Sequence, residues 1–424
     1  MKYELDDMPK AGPLLLYGVQ WFIILLPCVI IMGIVVARLH YPDAAAHMWY
    51  MRKLLALMGG VTILQVLIGH RLPLVVGPAT ALLVALLASV AAGVEAIYTS
   101  ICLGGLVLAF LAYSGCLSRI RFFFTPRIIT VILMLIAFTL APTILRLSFP
   151  DPEHPVFHLF FALIMVLALV LCNKVLPGIW KSMTIPCGIA GGCAAYFAVF
   201  GLPQLAEIGN AEGLNLFIAA PVFDFGTILC FLFCFLALII NELGSIEALG
   251  HMLRVPDMDR RIKLGTGMQG LGNIAAGSLG VIGPVDFSMS AGIVAATGCA
   301  SRYTLLPAGL ALIACAFIPQ AAVILNAIPN AVMGALLLYL MASQLASGLS
   351  MLTAEQCVTD FNSGIIVGLP LMTGLFIAFA PTSTWEHLPA LLRPIIGNGF
   401  IMGTLTVIVL EHVIFRVHKK SASS

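Results

Sequence analysis

Charged residues are scarce in this chain. They make up 9% of 424 residues, whereas a soluble domain usually carries about 25%. That is too little charge to cover a water-facing surface. The net charge of +2 gives no reason to expect nucleic acid or another polyanion as a partner. CxxC pairs, HExxH and GxxxxGK[ST] loops are all missing, which argues against a zinc cluster, a metalloprotease or built-in ATP hydrolysis. The eleven cysteines sit singly in apolar runs, as at Cys28, Cys102 and Cys315. Cys230 and Cys234 are one helical turn apart, but no second Cys/His pair joins them, so they read as small buried apolar residues. The nine histidines fall mostly in loops and helix ends, and no metal or cofactor is expected. The N-terminus, Met1 to Asp7, is mixed in charge and lacks a basic n-region and a cleavage site. The first apolar segment is therefore expected to stay as a membrane span.

Apolar residues are what the chain has, at 61% with mean hydropathy +1.08. Most runs are long enough to cross a hydrocarbon core of about 30 Å, which takes about 20 helical residues. They are continuous rather than alternating, so helices are expected and a β-barrel is not. The sequence predicts an all-α polytopic membrane protein with the lipid bilayer as its environment. It divides into about fourteen crossings: 13–37, 51–69, 72–91, 96–117, 124–145, 157–176, 183–202, 225–247, 264–281, 283–300, 303–323, 330–349, 363–381 and 390–415. An even count puts both termini on one side. With that side cytoplasmic, every Lys and Arg falls inside except Arg38, Arg52, Lys53, Arg146 and Arg393. This is the asymmetry of the positive-inside rule.

Seven plus seven crossings make the halves enter the membrane in opposite directions, as in an inverted repeat. The expected halves are 1–202 and 225–424, joined by the polar-leaning segment 203–224. Both third crossings carry Gly-Pro near their start, in Gly77-Pro78-Ala79-Thr80 and in Gly283-Pro284-Val285-Asp286. Pro has no N–H and biases the preceding residue towards extended backbone. Each motif alone reads equally as a loop turn with Pro at the first helical position. In matching positions they predict crossings three and ten as part extended and part helical. Unpaired backbone is tolerated there only around a buried or polar site, with helix N-termini turned towards it.

Ionisable residues at membrane depth default to function. Asn241 and Glu242 lie late in the eighth crossing; Glu247, further on, reads as interfacial. Asp286 follows the second Gly-Pro, with Ser288 and Ser290 after it. An early helix start would put Asp286 and Ser290 on one face at i,i+4 spacing, or leave Asp286 as the helix cap. A carboxyl group in low dielectric can hold a proton near neutrality, so Glu242 and Asp286 are the candidates for proton coupling. Gln20, Gln65, Thr80, Gln269 and Asn273 are weaker candidates, since lone amides and hydroxyls often join helices.

At these residues the chain resembles the nucleobase–ascorbate transporter family, which includes bacterial uracil and xanthine permeases. The matching features are the glycines from Gly267 to Gly280, the stretch Ser290 to Arg302, Phe317 to Pro319, Ile328 to Ala335, Asp360 to Ser363 and Gly397 to Gly403. Tyr17 to Gln20, Gly77 to Thr80 and Thr125-Pro126 add to it in the first half. The resemblance implies a core domain of spans 1–4 and 8–11 and a gate domain of spans 5–7 and 12–14. It also implies proton-coupled uptake of a nucleobase across the cytoplasmic membrane, by a homodimer. The implied substrate site takes in Asn241, Glu242, Ala79, Thr80, Asp286, Phe287, Ser288, Met289 and Ser290. In the signature stretch, Met289 and Ser290 replace the usual acid-or-amide and Asn, while Gly292 and Thr297 are kept. Counted back from the next Gly, the family's eighth-span carboxylate falls on Asn241, with Glu242 one residue on. Either residue can fill that place. The alternative reading is an organic- or inorganic-anion transporter of sulfate-permease-like architecture. A membrane enzyme is disfavoured, since no interfacial His/Cys/Asp cluster is present.

Overall fold

The computed structural model describes residues 1–117, 124–176, 183–202, 216–218, 220–287, 289–318, 327–386, 388–389 and 392–415. Ser288, most of the 203–224 connection, and Arg119, Arg121, Lys181, Arg416, Lys419 and Lys420 lie outside the described residues.

Helices of eight or more residues are labelled here. They are α1 (Ala11–His40), α2 (Ala44–Leu67), α3 (Thr80–Ala88), α4 (Val94–Ser114), α5 (Pro126–Thr139), α6 (Ala141–Ser148), α7 (Pro155–Val175), α8 (Thr184–Phe200), α9 (Phe225–Leu253), α10 (Met258–Leu279), α11 (Met289–Thr297), α12 (Leu305–Ala316), α13 (Asn330–Ala354), α14 (Phe361–Ala378) and α15 (Gly399–Val409). Strands β1 (Val75–Pro78) and β2 (Pro284–Phe287) precede α3 and α11. Among the described residues, eight helices are long and apolar enough to cross a membrane, counting α5 and α6 together. The protein is thus a mostly helical polytopic membrane protein.

Local chemistry sets many of the ends. Thr125 caps α5 through its side chain, with Pro126 at the first helical position. Asp224 caps α9 by accepting from Thr227 N at 2.8 Å. Asp360 and Ser363 form a reciprocal capping box at α14. Gly280 ends α10 at φ +67°, a conformation only glycine adopts without cost.

Two groups of helices pack internally. In one, α10 lies along α4, α12 along α2 and α1, and α9 runs against α3, α4 and β2. In the other, α13 packs on α5, α6, α7 and α8, and α14 packs on α15 and α5. The strand pair sits within the first group, against α1, α2 and α9.

β1 and β2 are antiparallel, with Val75 opposite Phe287, Val76 opposite Asp286, Gly77 opposite Val285 and Pro78 opposite Pro284. Neither proline can donate, so their pair must be a non-hydrogen-bonded one. That fixes the alternation. Val76 and Asp286 form the next non-hydrogen-bonded pair, whose backbone groups point away from the ladder. Beyond the prolines, Ala79 N donates to Gly283 O at 2.9 Å. The two prolines thus lie directly opposite one another in the ladder. The two strand–helix segments differ, because α3 starts at Thr80 while α11 starts only at Met289. The later start leaves Asp286 and Phe287 in extended backbone. A four-residue strand spans about 13 Å and a nine-residue helix about 14 Å, so each strand–helix unit together approaches a bilayer's thickness.

Candidate functional site

The free backbone edge of β2 organises the site. Pro284 and Asp286 both turn their carbonyls outward, and each is met by an amide side chain. Asn273 of α10 donates from Nδ2 to Pro284 O at 3.1 Å. Asn241 of α9 donates from Nδ2 to Asp286 O at 3.3 Å. Ser245, one turn along α9, donates to Asn241 O at 2.8 Å and lies 3.2 Å from the same Asp286 carbonyl. Glu242 Oε2 accepts from Asp286 N at 3.2 Å. Asn241 and Glu242 therefore divide between them the two backbone groups of a single residue.

Asp286 belongs to strand β2, so it neither caps α11 nor shares a helical face with Ser290. Both expectations assumed a helix starting right after Gly-Pro; strand pairing with β1 postpones it. The Asp286 side chain is fully buried, and its own backbone N–H donates to the Glu242 carboxyl. Neither Asp286 carboxyl oxygen has a hydrogen-bond partner among the described residues. Glu242 is also fully buried.

His70 completes the cluster. Its Nε2 lies 3.2 Å from Asp286 Oδ2, and both side chains are fully buried. Leu72 N donates to His70 Nδ1 at 2.9 Å, which leaves Nε2 as the protonated nitrogen of the neutral ring. Sequence reasoning missed this residue by placing it among loop and helix-end histidines. The available signal was length: spans ending at 69 and restarting at 72 leave too short a connection to reach water. Gln65, at the end of α2, supports the turn. Its Oε1 accepts from His70 N at 3.3 Å, and its Nε2 donates to Gln269 Oε1 at 2.9 Å and to Gly265 O at 3.0 Å.

At the far end of the ladder the Ser290 hydroxyl accepts from Val75 N at 3.0 Å and donates to Phe287 O at 2.8 Å. It bridges the two strands where direct pairing stops. Phe287 is half-buried, and its ring lies over Gly77, where a Cβ would sit 2.5 Å from Cζ. Met289 is exposed. Ala79 and the half-buried Thr80 lie at the opposite end of the ladder, beside Gly283. The start of α3 has no side-chain cap.

One cluster with metal-ligand spacing occurs among the described residues, at Asp151, Glu153 and His154, half-buried to exposed on the α6–α7 connection. His154 Nδ1 pairs with Asp151 Oδ2 at 2.7 Å and holds that carboxyl below its usual range. It is separate from the strand pair and carries no part of the site.

The arrangement is that of a membrane carrier built around two broken helices. Its fold matches the transmembrane domain of a cyanobacterium bicarbonate transporter, BicA, at TM-score 0.64 and 16% identity, over 88% of this chain and 98% of that one. It matches the murine Slc26a9 anion transporter in the inward-facing state at TM-score 0.64 and 14% identity, over 95% of this chain and 69% of that one. Sequence settles the family. Residues 12–383 match Xan_ur_permease, described as the permease family, and the chain belongs to it, within the nucleobase–ascorbate transporter group. Relatives include the uric acid permease PucJ of Bacillus subtilis, 26% identical over 83% of this chain and 82% of the relative. The uric acid transporter UacT of Escherichia coli is 23% identical over 96% and 87%. The xanthine permease of Bacillus subtilis is 24% identical over 78% and 76%.

Proposed function

We propose that this protein is a secondary active transporter, not an enzyme, that takes up a nucleobase such as uric acid, xanthine or uracil together with a proton. The observation that carries the coupling is the buried Glu242 carboxyl lying on the backbone of the broken segment and beside Asp286. The substrate class comes from the permease family and from relatives named for uric acid and xanthine. A purine offers a flat ring with N–H and C=O groups along its edge. Glu242 and Asn241 would meet donors on that edge, the uncapped amide of Thr80, with Ala79 beside it, would meet a ring carbonyl, and Phe287 would supply an apolar face. Ser290 and Asp286 would hold the strand geometry, and Met289 would border the opening. Ser288 is proposed for the site on sequence alone.

The wider reading is of fourteen spans in a 7+7 inverted repeat of 1–202 and 225–424. The group holding the strand pair would be the core (spans 1–4 and 8–11), and the group around α13 the gate (spans 5–7 and 12–14). Core would move against gate for alternating access. The chain would lie in the cell inner membrane as a homodimer with both termini cytoplasmic.

A carrier for a small inorganic or organic anion remains the second reading, because the solved structures it resembles are anion transporters. That likeness concerns the fold. A bare anion would face the Glu242–Asp286 pair without compensation, which favours the nucleobase.

Uptake of labelled urate, xanthine, uracil and adenine into proteoliposomes, with and without an inward proton gradient, tests the proposal. At least one base should accumulate, and Glu242→Gln should abolish the gradient's effect. No uptake of, or competition by, any base would remove the nucleobase reading. Unchanged gradient dependence in E242Q would clear Glu242 of the coupling role.

A further inference from the structure

The cations at one end of the molecule divide by what they hold. Arg38 lies near the C-terminal end of α1, and Arg52 and Lys53 lie about two turns into α2, which starts after a short connection. Arg52 donates from Nε to Ala316 O at 2.7 Å, at the last residue of α12. Lys53 donates from Nζ to Leu279 O at 2.5 Å, at the last residue of α10. Both meet the negative ends of helices in their own group, as a helix dipole favours. Arg38 does the opposite. Its guanidinium leaves the group that holds the strand pair and reaches the other group at the start of α13. Nη2 donates to Ile328 O at 3.0 Å, and Nη1 donates to the Asn330 side-chain oxygen. A cation at a helix N-terminus gains nothing from the dipole, so this contact rests on its hydrogen bonds.

The same end carries a second bond between the groups. α9 starts here, because α10 follows it after a short connection, packs back along it and ends at Lys53. Near that start, Asn398, the cap of α15, donates from Nδ2 to Cys230 Sγ at 3.6 Å. Cys230 is fully buried. The far end is built differently. Asp6, just before α1, pairs with Arg302 at 2.7 Å inside the strand-pair group. Arg127 pairs with Glu411 at 2.7 Å and donates to Cys357 O at 2.8 Å, just past the end of α13, inside the other group. Those ion pairs do not tie one group to the other. The 30 residues of α1 span about 45 Å, so Asp6 and Arg38 stand on opposite sides of a bilayer.

Resting on the alternating-access reading, we propose that Arg38 is a latch between the two groups. It closes the end opposite Asp6, and its bonds to Ile328 and Asn330 break whenever the carrier opens there. In the proposed orientation this is the outer end, and the structure is the outward-closed state. Arg38 is half-buried, so water takes over its hydrogen bonds once the groups part. Arg52 and Lys53 keep their partners throughout, since both ends of each bond ride on one group. The latch also gives a use to a cation on the side where the positive-inside rule expects few.

Native cysteines, read one by one, test the latch. Purified full-length protein in detergent is treated with a charged methanethiosulfonate, and the labelling rate of each cysteine is followed by peptide mass spectrometry. Cys230 reports the latched end. Cys357, buried beside Arg127, reports general loosening. In Arg38→Ala, Cys230 should label about tenfold faster, the factor expected from losing a hydrogen bond to a charged group. Cys357 should not accelerate. Asn330→Asp turns the bond into an ion pair, and Cys230 should then label more slowly than in wild type.

An unchanged Cys230 rate in R38A overturns the proposal. So does equal acceleration of Cys230 and Cys357, which would make Arg38 a structural brace, and so does faster Cys230 labelling in N330D. Failure of the transport reading shows elsewhere. Wild-type protein would then take up no base, while the Cys230 rates still decide whether Arg38 holds this end shut.

Discussion

Replacing Gly270 with alanine probes the packing that holds the strand pair in place. Gly270 faces α4, where an added Cβ would lie 2.6 Å from Ala109 N and 2.8 Å from Ala109 Cα. These are backbone atoms and cannot rotate away. Gly105 and Gly277 make the same close approach, to Ile274 N at 2.7 Å and to Cys102 N at 2.5 Å. Contacts below 3.4 Å are already tight, so α10 must retreat by about 0.8 Å near Gly270. Asn273 sits one turn away on the same helix and donates to Pro284 O at 3.1 Å. Gly272, on the opposite face, lies against Pro284, whose Cγ a Cβ there would approach to 3.0 Å, so the retreat presses α10 onto β2 and displaces this bond. Overpacking of this kind costs about 1–3 kcal/mol. The melting midpoint of solubilised G270A should therefore fall by several degrees, followed by fluorescence-detected size exclusion. Urate affinity should weaken in parallel. Gly191→Ala on α8 is the control, because a Cβ there meets nothing within 4 Å. A G270A protein that melts with wild type and binds urate equally well would refute the account of α10 as the strand's support.

Three further perturbations address single links. Ser290→Ala leaves the buried Val75 amide without its acceptor and should destabilise by about 1–3 kcal/mol. Hydrogen exchange at Val75 should accelerate, and Ser290→Thr, which keeps the hydroxyl, should lose less; equal exchange in S290A would show the bridge to be dispensable. Gly77→Ala displaces the Phe287 ring, which a Cβ would approach to 2.5 Å. Its KM for urate should rise about tenfold if the ring forms one face of the site, and an unchanged KM removes Phe287 from it. Asp360→Ala should lower stability at pH 7, because the Ser363 amide holds the Asp360 carboxyl below its usual range. A folded-state value below the unfolded one stabilises above the unfolded pKa and is lost as pH falls through the folded one. The difference between D360A and wild type should therefore fade below about pH 4; a difference that persists at pH 2 would assign it to something other than the charge.

The amino-acid sequence by itself determined the membrane class, since apolar runs with so little charge have no soluble alternative. It also marked the breaks. Gly77-Pro78 and Gly283-Pro284 announce themselves because proline removes a donor wherever it sits. Glu242 and Asp286 stood out as carboxyl groups in apolar surroundings. Only tertiary structure decided what these residues touch. The register of β1 on β2, fixed by two prolines facing each other, turned Asp286's backbone outward towards α9. The choice between Asn241 and Glu242 had no local answer, since neighbouring helical residues differ by about 100° and packing sets the rotation. The fold lets both reach Asp286, one at the carbonyl and one at the amide. His70 is distant from Asp286 in sequence and resembles a loop residue by position. It joins the carboxyl pair because the α2–β1 turn is drawn inward and pinned by Gln65 and Arg261. Spacing along a chain reports local periodicity. Contacts between separate segments depend on how every helix packs, and that information lies in no single stretch of sequence.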